Sequence, residues 1–156
     1  MEQDSRTTFL VLEDDASDAL LIRRAFTNAA CNAFVCRNTS EARAYLVGAG
    51  MYADRVRFPF PDIFMTDLRL GDESGVHFLE WMRSREELKE LPVVVLSSST
   101  QAKDASAAKR LGASRIWQKP REAVYLQSMV NKLARELCAK KATLERLHAP
   151  TATRRD

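Results

Sequence analysis

The fold class the sequence predicts is α/β: a doubly wound, five-stranded parallel sheet with helices on both faces. Three observations predict it. Apolar runs of strand length alternate five times with segments of helical periodicity. Runs such as Phe9-Leu-Val-Leu12 and Val93-Val-Val-Leu96 are apolar at every position, as strands covered on both sides must be. The chain has 156 residues, 46% hydrophobic and 29% charged, which fits one domain with a self-sufficient core.

Each element has a local reason. Phe9–Leu12 stops abruptly at Glu13-Asp14-Asp15, the polar edge of a buried strand. A helix follows over about 16–30, with Leu20, Leu21, Ala25 and Phe26 at helical spacing; Asp15 or Ser17 caps it, and Asp18 suits the positive end of its dipole. Residues 33–37 form a second strand. Asn38 with Glu41 three positions on resembles a capping box, opening a helix to about Val47. Residues 48–61, with two Gly and two Pro, read as a loop. The third strand spans 62–66, and its helix runs over about 75–88. Pro92 leads into the fourth strand at 93–96. An Ala-rich helix over 102–111 ends at Gly112, a natural left-handed C′ residue. A fifth strand covers 114–118, and an amphipathic helix runs over about 121–137. Leu137, Leu144 and Leu147 allow some further turns before Pro150.

Charge and composition exclude several classes. The net charge is +3, and residues 138–156 account for all of it, with five basic and two acidic side chains. A basic tail without interleaved aromatics or a folded motif argues against nucleic-acid binding. The polar start carries both charge signs and no apolar run reaches membrane-helix length, so a cytoplasmic protein is expected. Cys31, Cys36 and Cys138 lack metal-binding spacing, as do His77 and His148, and read as ordinary reduced thiols.

Ligands of such sheets bind beyond the carboxyl ends of the strands. There the sequence places Glu13-Asp14, Asp67, Ser97 and Lys119. Neighbouring carboxylates repel unless a cation shares them. A hard divalent ion such as Mg²⁺ takes oxygen ligands of this kind. One carboxylate can then act as a nucleophile toward phosphorus, with Lys119 and Ser97 on the oxygens of the transferred group. Each residue alone is ambiguous: Glu13-Asp14-Asp15 as a solvated strand end, Asp67 as a turn residue, Ser97 as part of a capping loop. Their joint placement at four strand ends is what points to phosphoryl chemistry.

Phe9-Leu-Val-Leu-Glu-Asp-Asp15, Asp62-Ile-Phe-Met-Thr-Asp67-Leu-Arg-Leu-Gly-Asp-Glu-Ser-Gly75, Pro92-Val-Val-Val-Leu-Ser97 and Lys119-Pro120 resemble the response-regulator receiver family over residues 8–137. Gly50-Met-Tyr52 and Arg83-Ser-Arg-Glu-Glu-Leu-Lys-Glu-Leu-Pro92 resemble the stand-alone regulators that partner phytochrome-type histidine kinases. The resemblance implies a flavodoxin-like strand order 2-1-3-4-5. It implies Asp67 as phosphoacceptor, Mg²⁺ as cofactor held by Glu13, Asp14, Asp67 and the Arg69 carbonyl, Ser97 as switch hydroxyl and Lys119 as phosphate partner. It further implies a cis Lys119–Pro120 bond, a sensor histidine kinase as partner, and self-catalysed phosphoryl uptake and hydrolysis rather than enzyme turnover. Homodimerisation through the fourth helix, fifth strand and fifth helix is the expected self-association. Residues 138–156 are expected to form a basic helical extension and tail, with no output domain.

Three positions depart from the family pattern. Ile116 stands where an aromatic usually rotates on activation, and its neighbour Trp117 is expected to pack in the core. Gly71 replaces a proline and is expected to loosen its loop. Arg69 puts a long cation beside the acceptor, where it would shield an acyl phosphate. Two other functions compete: a Mg²⁺-dependent phosphatase with an aspartyl nucleophile, which would want an acid two residues beyond Asp67, and a flavin mononucleotide binder, which would want a neutral loop at Glu13–Asp15.

Overall fold

The computed structural model describes residues 6–71, 73–98 and 102–150. Its elements follow in the order β1 (Thr7–Leu12), α1 (Ala16–Thr27), β2 (Cys31–Cys36), α2 (Thr39–Val47), a 3-10 turn (Gly50–Ala53), β3 (Ile63–Thr66), α3 (Gly75–Ser84), β4 (Val93–Ser97), α4 (Ala102–Arg110), β5 (Arg115–Gln118) and α5 (Ala123–His148). The five strands pair in parallel in the order β2-β1-β3-β4-β5, as the resemblance implied.

Strand alternation sorts the core into two layers. Leu10, Leu12, Phe64, Val93 and Val95 face α2, α3 and α4. Phe9, Val11, Ile63, Met65, Val94 and Leu96 face α1 and α5. All eleven side chains are essentially inaccessible to water. Each contributes roughly 1.5–3 kcal/mol by leaving water, and β3 and β4 accordingly carry no polar position before their last residue. The edge strand β5 is mostly exposed, but Trp117 packs against the α1–α5 layer as expected. Ile116 turns outward on the other face and is 36% exposed.

Caps set most helix limits. Asp15, and not Ser17, caps α1 by accepting the Asp18 N–H at 2.8 Å. Asn38 caps α2 through the Glu41 N–H at 2.8 Å, but the Glu41 carboxylate reaches back one residue further, to the Arg37 N–H. Gly48 closes α2 in the left-handed region at φ 70°. The segment expected to be an open loop holds the 3-10 turn, pinned where Arg55 donates to the Tyr45, Leu46 and Phe58 carbonyls.

Helix lengths differ from the sequence reading at two points. α3 ends at Ser84 and not near Leu88, because the Arg83 guanidinium takes the Leu88, Lys89 and Leu91 carbonyls as tight turns. The same group reaches the Leu111 and Gly112 carbonyls just past α4. α5 continues unbroken to His148. Leu137 still packs against the core, Lys141 pairs with Asp62 at the foot of β3, and Leu144 and Leu147 are exposed. Residues 151–156, with the end of the predicted tail, lie outside the described residues, as does the Ser99–Thr100 part of the capping loop before α4. No helix among the described residues is long and apolar enough to cross a membrane.

Candidate functional site

The carboxyl ends of β1, β3, β4 and β5 meet at one rim. Glu13 and Asp67 directly follow β1 and β3, Ser97 ends β4, and Lys119 directly follows β5. The Lys119 N–H bonds the Ser97 carbonyl at 2.9 Å, so the β4–β5 ladder itself aims the lysine. The expected cis bond is not found. No cis peptide occurs among the described residues, so Lys119–Pro120 is trans, the isomer X-Pro bonds favour.

Asp67 is buried, and both of its carboxylate oxygens are engaged. Lys119 Nζ donates to Oδ2 at 3.0 Å. Oδ1 accepts from Ser97 Oγ at 3.2 Å and from the Arg69 N–H at 3.1 Å. Gly75 stands directly behind: its N–H bonds the Leu68 carbonyl at 2.9 Å, and a Cβ there would lie 2.6 Å from the Asp67 carbonyl oxygen. Only glycine lets α3 start this close to Asp67.

Lys119 holds the cluster together. Its ammonium lies 2.8 Å from Glu13 Oε2, 2.8 Å from Asp18 Oδ2 and 3.0 Å from Asp67 Oδ2. Its three donors thus meet three carboxylates. Burial pushes the Lys119 ammonium down, but the bonds to Asp18, Glu13 and Asp67 outweigh it and hold the group above its ordinary range. Burial pushes the Glu13 carboxyl up, and Lys119 only partly offsets that rise. The two directions pull against each other. Three acceptors fix the shared ammonium in its charged form, since a buried cation would otherwise be uncompensated.

Asp14 points elsewhere. Its Oδ2 accepts the Gly71 N–H at 2.6 Å. A proline here, as the family usually has, could not donate that bond. Gly71 therefore ties its loop to the rim, contrary to the loosening expected of it. The Glu13 and Asp14 carbonyls are held in turn by Arg37 at 3.0 and 2.9 Å.

As a metal-binding set these groups fit by chemistry: the carboxylates of Glu13, Asp14 and Asp67 and the Arg69 carbonyl are all oxygen donors, as a hard divalent cation requires. They are not gathered as they stand. Among the described residues no three acidic, His or Cys side chains converge closely enough to hold an ion. Lys119 occupies Glu13 and Asp67, and Gly71 occupies Asp14. A cation taking Glu13 Oε2 or Asp67 Oδ2 would compete with Lys119 for them.

Two functional neighbours escaped the sequence reading. The sequence ties Asp18 only to the helix dipole; its place in the first turn of the helix that leaves the β1 end is the available signal. Asp104, in the first turn of α4, lies 3.5 Å from Arg69 Nε. The half-exposed Arg69 side chain is thus directed to α4. His77 is exposed on α3, while Phe78, Leu79 and Met82 are buried on its inner face, as expected.

The architecture is a doubly wound parallel sheet with an acidic pocket at its strand ends, closed by one lysine. The family model described as "Response regulator receiver domain" matches residues 9–131, and the chain belongs to that family. It is 27% identical to response regulator Rcp1 of Synechocystis over 131 residues, 83% of this chain and 87% of that one. The solved structure of the phosphorylated cyanobacterial phytochrome response regulator RcpA superposes with a TM-score of 0.74 at 28% identity, covering 87% of this chain and 96% of that chain. The Mn²⁺-bound form of Rcp1 superposes with a TM-score of 0.68 at 26% identity, over 81% of this chain and 91% of that one. The chain is a response-regulator receiver of two-component signalling, and the relatives it is similar to include phytochrome response regulators.

Proposed function

We propose that Asp67 accepts a phosphoryl group from a histidine of a phytochrome-type sensor kinase, with Mg²⁺ held by Glu13, Asp14, Asp67 and the Arg69 carbonyl. The observation that carries this reading is the Lys119–Asp67–Ser97 constellation: a buried carboxylate with an ammonium on one oxygen and a hydroxyl on the other. The bond from the donor histidine nitrogen to phosphorus breaks as the bond from an Asp67 carboxylate oxygen forms. A bound divalent cation supplies positive charge beside the transferring group. Lys119, already aimed by the β4–β5 ladder, pairs with one phosphoryl oxygen, and Ser97 donates to another. The low exposure of Asp67 limits water at the acyl phosphate and favours a stored signal over rapid hydrolysis. The surface of α4, β5 and α5, with Ile116, Val124 and Tyr125 exposed, is the one we assign to homodimer contact or partner docking.

The test is intact-mass measurement with acetyl phosphate and Mg²⁺. One phosphoryl group per chain is expected, lost in Asp67→Asn and absent without the metal. Labelling that survives Asp67→Asn would overturn the assignment. Repeated turnover of a phosphomonoester would favour the aspartyl phosphatase instead.

A further inference from the structure

Lys119 and a divalent cation compete for the same atoms. The ammonium lies 2.8 Å from Glu13 Oε2 and 3.0 Å from Asp67 Oδ2, two of the side chains assigned to the metal. Its third partner, Asp18 at 2.8 Å, belongs to α1 and not to the metal set. Asp18 is itself held in place, since its backbone N–H bonds the Asp15 carboxylate at 2.8 Å. The Lys119 side chain is only 10% exposed, so it has no free path into water when it leaves Glu13 and Asp67. A buried ammonium without a carboxylate is costly.

We propose that Asp18 is a positioning residue for cation uptake: it keeps Lys119 paired when the metal takes the Glu13 and Asp67 oxygens. The inference rests on the metal set assigned above. Two effects of Asp18 act in one direction. Its charge adds to the negative field of Glu13, Asp14 and Asp67, which draws a cation in. Its carboxylate also gives the displaced lysine a partner, which lowers the cost of displacing it. Removing Asp18 leaves Lys119 bound to Glu13 and Asp67 alone, and the cation must then break the only pairs the lysine has.

The experiment is Mn²⁺ titration of the full chain, followed by the loss of the free-ion electron paramagnetic resonance signal, without any phosphodonor. Asp18→Asn should raise the Mn²⁺ Kd about fivefold, and Asp18→Glu should restore it to within about twofold. Lys119→Met should bind Mn²⁺ more tightly than the wild type. In that background Asp18→Asn should lose at least half of its logarithmic effect, because the lysine it serves is gone. Thermal unfolding of each variant separates loss of fold from loss of binding. An Asp18→Asn Kd equal to the wild type overturns the inference, and so does an equal effect with and without Lys119, which would reduce Asp18 to a remote charge. A wild-type chain that binds no Mn²⁺ would instead defeat the metal assignment itself.

Discussion

Gly75→Ala puts the tightest backbone contact at the acceptor to a quantitative test. A methyl group at this position would lie 2.5 Å from Leu68 Cα, 2.6 Å from the Asp67 carbonyl oxygen and 3.0 Å from the Leu68 carbonyl carbon. The first of these is about 0.9 Å short of an ordinary 3.4 Å contact. All three neighbours are backbone atoms, so no side chain can swing aside. Relief requires α3 to move off the end of β3, stretching the 2.9 Å bond from the Gly75 N–H to the Leu68 carbonyl. That places the cost at the upper end for overpacking, about 3 kcal/mol. For a domain of this size it corresponds to a Tm roughly 6–12 °C lower. Gly50→Ala is the control. Gly50 has φ 60° but nothing within 4 Å of its Cβ position, so only left-handed strain applies, about 1 kcal/mol. Urea unfolding followed by circular dichroism compares the two. The reasoning fails if Gly75→Ala is no more destabilising than Gly50→Ala. Because the displaced atoms belong to Asp67 and Leu68, phosphoryl uptake by folded Gly75→Ala should also fall, whereas Gly50→Ala should leave it unchanged.

Other expectations follow from single groups. Arg83→Met removes a guanidinium that donates to five carbonyls and should cost about 2–4 kcal/mol in urea unfolding; a change below about 0.5 kcal/mol would show those carbonyls satisfied by water. Burial pushes the Cys31 and Cys36 thiols up to about 11 and about 12, while Cys138 is exposed. A thiol reagent at pH 8 should therefore modify Cys138 alone in the native chain, and all three cysteines once denaturant is added. The sign of the linked pH effect is fixed: unfolded thiols ionise first, so stability should fall as pH rises from 9.0 toward the folded values, and a Cys31→Ala/Cys36→Ala chain should lose the part of that fall that precedes the contributions of the raised Tyr45, Tyr52 and Lys119 above 10.0. Arg69→Ala should shorten the phosphoryl half-life at saturating Mg²⁺ if Arg69 shields the acyl phosphate; an equal half-life would mean that its pairing with Asp104 keeps it away from the acceptor.

The fold was legible because its signals are short-range. Apolar runs at Phe9–Leu12 and Val93–Leu96, caps at Asp15 and Asn38, and Gly48 and Gly112 at helix ends act within a few residues of themselves. The rim residues were legible for the related reason that strand ends must coincide in a parallel sheet. What the sequence hid depends on contacts between distant segments. Arg83, which ends α3 through carbonyls 5 to 8 positions ahead, also ties those turns to the Gly112 carbonyl 29 positions away. The continuation of α5 past Leu137 is helped by Lys141 meeting Asp62, 79 positions away. At the site, Asp18 becomes a partner of Lys119 across 101 positions, and periodicity cannot show a pairing that only the sheet order creates. The trans geometry at Pro120 belongs with these: the family motif pointed to cis, but the ammonium reaches Asp67 without it.

Arg83 also decides how α4 can move. Its guanidinium fixes the chain just past the last turn of that helix to the turns that follow α3, at the end of the sheet remote from Asp67. The first turn of α4, at Asp104, lies at the acceptor end beside Arg69. A helix anchored at one end and contacted at the other is a lever with a fixed fulcrum. Its nine residues span about 13 Å, so a 2 Å displacement near Asp104 is a swing of about 8° and not a translation. A displacement of α4 about this anchor would be greatest in its first turn and smallest at Gly112. Within the α4–β5–α5 surface assigned above, the first turns of α4 are the part that such a swing would move most.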